Sequence, residues 1–161
     1  MSEMVLKTAW RRNDERQIED AKAFWTGGNE LAAHLHDQRA QQLGVLAYSG
    51  DRVVAAVTAE LEMLPGLRAR FAVFQVIVDP EFRRNAVARR IVGYFLSVLE
   101  AWSAENPQEE VMGIAAVIQA AEFKDWQREP VWPDWGLNLT LIGYTPRNQQ
   151  IRVAWFRHAR I

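Results

Sequence analysis

The run from Leu67 to Val78 is nearly continuous in apolar residues, stops at Asp79-Pro80, and gives way from Asn85 to a different period. An apolar run of this length, rich in Val, Ile and Phe, reads as a long strand. Proline cannot donate to a ladder, so Pro80 ends it. From Asn85 to about Ala104, Val87, Ile91, Val92, Phe95, Leu96, Leu99 and Trp102 recur at helical spacing on one face, and Asn106-Pro107 closes the helix. The short apolar run Val111–Ile118 then supplies a buried strand, and the order strand, helix, strand predicts a parallel crossover.

The chain around this unit is predicted as follows. Val5–Trp10 alternates as a first strand. Asn13 or Asp14 caps a helix through about Trp25, with Ile18, Ala21, Phe24 and Trp25 at helical spacing. Gly27 and Gly28 end it, and Asn29 caps a second helix through about Leu43, burying Leu31, Leu35 and Leu43. Val45–Tyr48 and Arg52–Met63 flank Ser-Gly-Asp, the turn chemistry of a hairpin, and Pro65-Gly66 turns the chain into the apolar run. A short helix around Ala121–Arg128 is broken by Pro130 and Pro133. Leu137–Tyr144 and Gln150–His158 alternate as a second hairpin around Thr-Pro-Arg-Asn. The expectation is one mixed α/β (α+β) domain over residues 1–161, with a mostly antiparallel seven-stranded sheet and about four helices.

Composition sets limits on partners. With 161 residues, 49% of them hydrophobic, the chain has enough apolar surface for a core. A formal net charge of -1 does not steer the whole molecule to nucleic acid or anionic membrane, so any basic site must be local. The absence of cysteine removes disulfides, thiolate metal sites and a cysteine nucleophile together. No signal peptide or membrane-length apolar run is visible, and a soluble, cytoplasmic protein is expected.

The segment Val78-Asp79-Pro80-Glu81-Phe82-Arg83-Arg84-Asn85-Ala86-Val87-Ala88-Arg89-Arg90 carries the clearest chemistry. A helix N-terminus leaves backbone N–H groups unpaired and carries positive partial charge, so it attracts phosphate. Small residues at Ala86 and Ala88 let an anion approach those amides. Arg83, Arg84, Arg89 and Arg90 add planar donors suited to pyrophosphate.

In these residues the sequence resembles the GCN5-related N-acetyltransferase (GNAT) superfamily, whose loop has glutamine or arginine, two variable residues, glycine, one variable residue, then glycine or alanine. The match here is Arg83, then Arg84, Asn85, Ala86, Val87 and Ala88, preceded by Val78, Pro80 and Phe82. The element order fits that fold along almost the whole chain. Two positions depart: the family glycine is Ala86, and the glycine that often follows the arginine is Arg84. Alanine costs little inside a helix but narrows the space above the first-turn amides.

The resemblance implies an acetyl-CoA (acyl-CoA)-dependent N-acetyltransferase in which an amine of a small molecule or protein attacks the thioester directly. It implies that the strand ending at Val78 splays from Val111–Ile118, and that the pantetheine arm pairs with the backbone of Val76, Ile77 and Val78. It also implies that amides from Arg84 to Arg89 hold the pyrophosphate. Members of the family often place a tyrosine donor in the helix after the fifth strand; Gln119–Arg128 has Phe123 and Trp126 instead. Tyr144, at the end of the sixth predicted strand, is the first-ranked acid, ahead of Tyr94, with a hydrogen-bonded core tyrosine as the alternative. Glu60 and Glu62 share a strand face; Glu60 is the preferred base, and Glu62 is read as solvated.

Other features give weaker signals. His34 and His36 point to different sides of a predicted helix and do not chelate one metal, and His158 lies near the C-terminus. Trp126, Trp132 and Trp135 fall close together, either as core filler or as an aromatic wall around an apolar or cationic substrate group. Gln150–His158 is a candidate dimer edge. Two other functions compete: a coenzyme-binding or scaffold protein without turnover, and, least favoured, a nucleic-acid-binding module using the arginines.

Overall fold

The computed structural model describes residues 3–28, 30–83, 86–118, 124–132 and 137–161. Among the described residues eight strands form one sheet in the order β1-β2-β3-β4-β5-β8-β7-β6. In chain order these are β1 (Met4–Thr8), β2 (Leu43–Ser49), β3 (Arg52–Leu64), β4 (Ala69–Val78), β5 (Val111–Ile118), β6 (Val131–Trp132), β7 (Leu139–Tyr144) and β8 (Gln150–Trp155). The α-helices are α1 (Glu15–Gly27), α2 (His36–Ala40) and α3 (Val87–Glu105). β4 and β5 run parallel, whereas β1–β2, β2–β3, β5–β8, β6–β7 and β7–β8 are antiparallel. This is the mixed, mostly antiparallel α+β sheet that the element order predicts. Among the described residues no helix is long and apolar enough to cross a membrane.

Contacts divide the chain into two compact units, residues 1–59 with 75–98, and residues 60–74 with 99–161. In the first unit, β2 pairs with β1 from Met4↔Ser49 to Thr8↔Val45 and with β3 from Leu43↔Thr58 to Ser49↔Arg52. The tight β2–β3 turn uses Gly50 at φ 64°, a left-handed conformation natural to glycine. Asp14 caps α1 by accepting from the Gln17 amide at 3.0 Å. One turn apart, Ala21 and Trp25 are the buried stripe of α1, packed with Leu46, Tyr48, Val53 and Ala56. On β2, Gly44 is required by packing, because a Cβ there would meet Phe95 Cε1 of α3 at 2.6 Å. Phe95 in turn lies edge-on to Trp10, with ring centres 6.5 Å apart.

In the second unit, the parallel β4–β5 register runs from Arg70↔Val111 to Val73↔Ala115. Phe71, Ala115 and Val153 are fully buried there. A side chain at Gly113 would place its Cβ 2.2 Å from the Ala154 carbonyl oxygen, so only glycine lets β5 and β8 close. Ser103 donates to the Val111 carbonyl at 2.7 Å and ties the end of α3 to the start of β5.

Several boundaries differ from expectation, each for a local reason. The segment predicted as a long second helix, Asn29–Leu43, is a 3-10 turn at Ala33–Leu35 followed by the five-residue α2. Leu43 belongs to β2, where pairing with Thr58 outcompetes another helical turn. Within the predicted fourth helix, the described part is a 3-10 turn at Asp125–Arg128, and residues 119–123 lie outside the described residues. The extra strand β6 is only Val131–Trp132, too short to show a period in sequence. The expected dimer edge is also corrected: β8 is bordered on both sides, by β5 and β7, so its backbone is already paired.

Candidate functional site

The site is built where β4 ends and α3 begins, inside the first unit. Asp79 shapes the exit. Its amide donates to the Val54 carbonyl at 2.8 Å, and its side chain accepts from the Glu81 amide at 2.9 Å, capping the 3-10 turn Pro80–Phe82. Arg52 pins the same carboxylate at 3.1 Å and lies 5.7 Å from the Phe82 ring centre. The chain therefore leaves β4 in a fixed direction.

Arg83 follows directly. Its Nε donates to the Val78 carbonyl at 3.2 Å, and its outer guanidinium nitrogen pairs with Glu30, just beyond α1. Ala86 then adopts φ 55°. This corrects the expectation that Ala86 sits inside the helix: it is the left-handed residue before α3, a conformation that costs an L-residue roughly 1–2 kcal/mol. Its carbonyl accepts from the Arg90 amide at 3.1 Å, so the helix starts there. By helix geometry the amides of Val87, Ala88 and Arg89 have no intrahelical partner. No acidic residue stands in the first turn of α3 to compete for an anion.

Of the residues assigned to the coenzyme from sequence, Val76, Ile77, Val78, Arg83, Ala86, Val87, Ala88 and Arg89 fall in this unit. Val76 and Ile77 are half-buried, and Val78 and Val87 are buried, so these strand and helix-start positions offer backbone rather than side-chain chemistry. Arg89 is exposed. Arg84 and Asn85 lie outside the described residues. The two catalytic candidates belong to the second unit: Glu60 is exposed on β3, and Tyr144 is 55% exposed at the end of β7.

Beside the loop, the first unit has a cleft of about 760 Å3 between α1, the chain after it, the β2–β3 turn and the end of β4. Phe24, Trp25, Leu31, Val53 and Ile77 give it an apolar lining. Among the described lining residues, Asp20, Glu30, Asp51, Asp79 and Glu81 put carboxylates around it, against the guanidinium of Arg52. Asp20 accepts from the Tyr48 hydroxyl at 2.7 Å. Burial, followed by that hydrogen bond, pushes the Tyr48 phenol well above its ordinary range, so it remains a donor.

Sequence reasoning missed Arg152. Its side chain is fully buried in the second unit and has no carboxylate partner among the described residues. Nε donates to Gln150 Oε1, and the two terminal nitrogens donate to the carbonyls of Gln127, Glu129, Pro130 and Leu139 at 2.8–3.2 Å. The guanidinium also lies 4.1 Å from the centre of the Trp132 ring. Its acceptors lie up to 25 residues away, so strand alternation gave no signal. Of the clustered tryptophans, Trp132 is 5% exposed and Trp126 is 37% exposed, edge to face; Trp135 lies outside the described residues. His36 contacts the Leu31 carbonyl and His158 the Glu100 carbonyl. Among the described residues no three His, Cys, Asp or Glu side chains gather to hold a metal.

Solved structures share this fold over nearly the whole chain. The ribosomal-protein-S18-alanine N-acetyltransferase from Escherichia coli superposes with a TM-score of 0.61 at 10% identity, covering 98% of this chain and 97% of the other. An aminoglycoside 6'-N-acetyltransferase complexed with coenzyme A gives 0.59 at 12% identity, covering 98% and 99%. A KacTA–DNA complex gives 0.60 at 12% identity, covering 96% and 94%. No family model matches the chain, and no curated protein matches it. The chain therefore has the GNAT fold that the loop sequence suggested.

Proposed function

We propose that the protein is an acyl-CoA-dependent N-acyltransferase, with acetyl-CoA as co-substrate and an amine as acceptor. The observation that carries this reading is the start of α3: left-handed Ala86, three first-turn amides without intrahelical partners, and flanking Arg83 and Arg89. Those amides suit the two phosphates of a pyrophosphate, and the arginines add charge-assisted donors. The donor set fits the coenzyme, with the Ala86 methyl as the group that crowds it. The backbone of Val76, Ile77 and Val78, past the last β4–β5 register pair at Val73, is assigned to the pantetheine amides. The coenzyme supplies an activated acyl thioester that a neutral amine attacks. Tyr144 and Glu60 are the proposed acid and base.

Calorimetry with acetyl-CoA, followed by thiol release with a panel of amines, tests this reading. Binding and release are expected; no binding at millimolar acetyl-CoA would reject it. Binding without release from any amine would instead favour a coenzyme-binding protein without turnover. A nucleic-acid reading draws on Arg83, Arg89 and Arg90 and on the DNA-complexed structural neighbour, against a net charge of -1. It predicts a low-salt mobility shift, which the transferase reading does not.

A further inference from the structure

The cleft of the first unit is lined with the wrong charge for a coenzyme phosphate. Among the described lining residues five carboxylates face one guanidinium, and that guanidinium is already engaged: Arg52 reaches Asp79 at 3.1 Å and Glu81 at 3.8 Å. Glu30 is matched by Arg83. Two carboxylates are left without a close guanidinium. Among the described residues Asp20 has only the distant Nε of Arg16, at 4.0 Å, and the neutral Tyr48 hydroxyl. Asp51 has no ion pair among the described residues. A low-dielectric wall behind such charges focuses a negative potential into the cleft, which attracts cations and repels phosphates and carboxylates.

The rest of the lining is apolar. Phe24, Leu31 and Ile77 are only partly covered and pack on the α1 core. A volume of about 760 Å3 lies within the range that holds a whole small molecule. Ile77, Val78 and Pro80 belong both to this cleft and to the strand end and turn that lead into the phosphate loop. An occupant of the cleft thus lies beside β4 at the level assigned to the pantetheine.

We propose that this cleft seats the acceptor, and that it selects a primary ammonium joined to a compact apolar or aromatic body. The inference rests on the acyltransferase reading for its role, but the charge selection stands on the cleft alone. The apolar body lies against Phe24, Leu31 and Ile77. Asp20 and Asp51 supply the field for the ammonium, and Tyr48 holds the Asp20 carboxylate by donating to Oδ2.

Three ligands of one shape test it: phenethylamine, 2-phenylethanol and 3-phenylpropanoate, each titrated into the coenzyme-free protein by calorimetry. Phenethylamine is expected to bind about tenfold tighter than the alcohol, and 3-phenylpropanoate weaker than both. The preference is expected to fall with salt and in Asp20→Asn and Asp51→Asn. Asp51 is exposed, which makes its variant the one that spares the fold. Equal binding of amine and alcohol, tighter binding of the carboxylate, or no amine binding at millimolar concentration would overturn the proposal. Acetyl-CoA calorimetry on the same preparation separates the two readings. Amine selectivity without coenzyme binding removes only the transferase, and coenzyme binding without amine selectivity removes only the acceptor assignment.

Discussion

Arg83 is held from two sides, donating through Nε to the Val78 carbonyl at 3.2 Å and pairing through its terminal nitrogen with Glu30. The first contact fixes the arginine to the end of β4. The second occupies donors that a phosphate would use. Glu30→Gln removes the competing carboxylate and one negative charge near the loop. Acetyl-CoA affinity is then expected to rise about two- to fivefold at low salt, the scale of an exposed ion pair. The gain should shrink as salt screens the lost charge. Weaker binding in the variant would mean that Glu30 positions Arg83 for the coenzyme instead of competing for it.

Ala86 makes a prediction about stability. A methyl group at φ 55° is strained, and glycine relieves that strain at some cost in unfolded-chain entropy. Ala86→Gly is expected to leave the protein at least as stable, with a gain of up to about 1 kcal/mol by urea denaturation. Acetyl-CoA should also bind more tightly, because the space above the Val87–Arg89 amides opens. Ala86→Val should move both quantities the other way, since a β-branched residue tolerates the left-handed region worst.

Legibility of the fold followed periodicity. β3, β4 and α3 are long and strongly patterned, and their boundaries emerged within a few residues. The second helix misled because Leu31, Leu35 and Leu43 have a spacing that two elements can share; only the β2–β3 register assigns Leu43 to a strand. The turn from β4 into α3 was legible because its signals, the Asp79-Pro80 stop and the change of period after it, are local. The Glu30–Arg83 and Asp20–Tyr48 pairs were not, because each joins residues far apart in the chain, and neither member is unusual in its own segment.

Arg152 is the extreme of that second kind, and it predicts a large loss. Its guanidinium satisfies five acceptors and stacks near Trp132 in a fully buried position. Burial alone draws its pKa down, yet a guanidinium remains charged throughout the working pH range. Arg152→Met leaves several buried carbonyls unpaired and should cost about 3 kcal/mol or more in urea denaturation. Arg152→Lys should recover little, since an ammonium has three donors and no planar face. A loss below about 1 kcal/mol would show that water takes over those carbonyls.

Lys22 and Asp37 connect α1 to α2 at 2.6 Å on the surface. The hydrogen bond from Lys22, and then its charge, hold the Asp37 carboxyl below the ordinary 3.8. A carboxylate with a lowered folded value contributes stability that is complete above 3.8 and is lost as pH falls through the lower folded value. Lys22→Met should return Asp37 to its ordinary titration, read by carboxyl-carbon NMR, and remove this part of the acid dependence. An unchanged Asp37 titration would show that the pair is not formed in solution.

The Arg83–Glu30 pair also links the two proposed ligands. Pyrophosphate bound as proposed would draw Arg83 donors away from Glu30, which lines the acidic cleft. Its carboxylate then adds to the field acting on an ammonium. Saturating coenzyme A, which lacks an acyl group and cannot turn over, is therefore expected to tighten phenethylamine binding about two- to fivefold. Linkage requires phenethylamine to tighten coenzyme A by the same factor. Glu30→Gln should abolish the coupling while leaving each ligand able to bind alone. Coupling of equal size in Glu30→Gln would move its origin away from this ion pair, whereas its loss there would identify Glu30 as the group through which the two sites communicate.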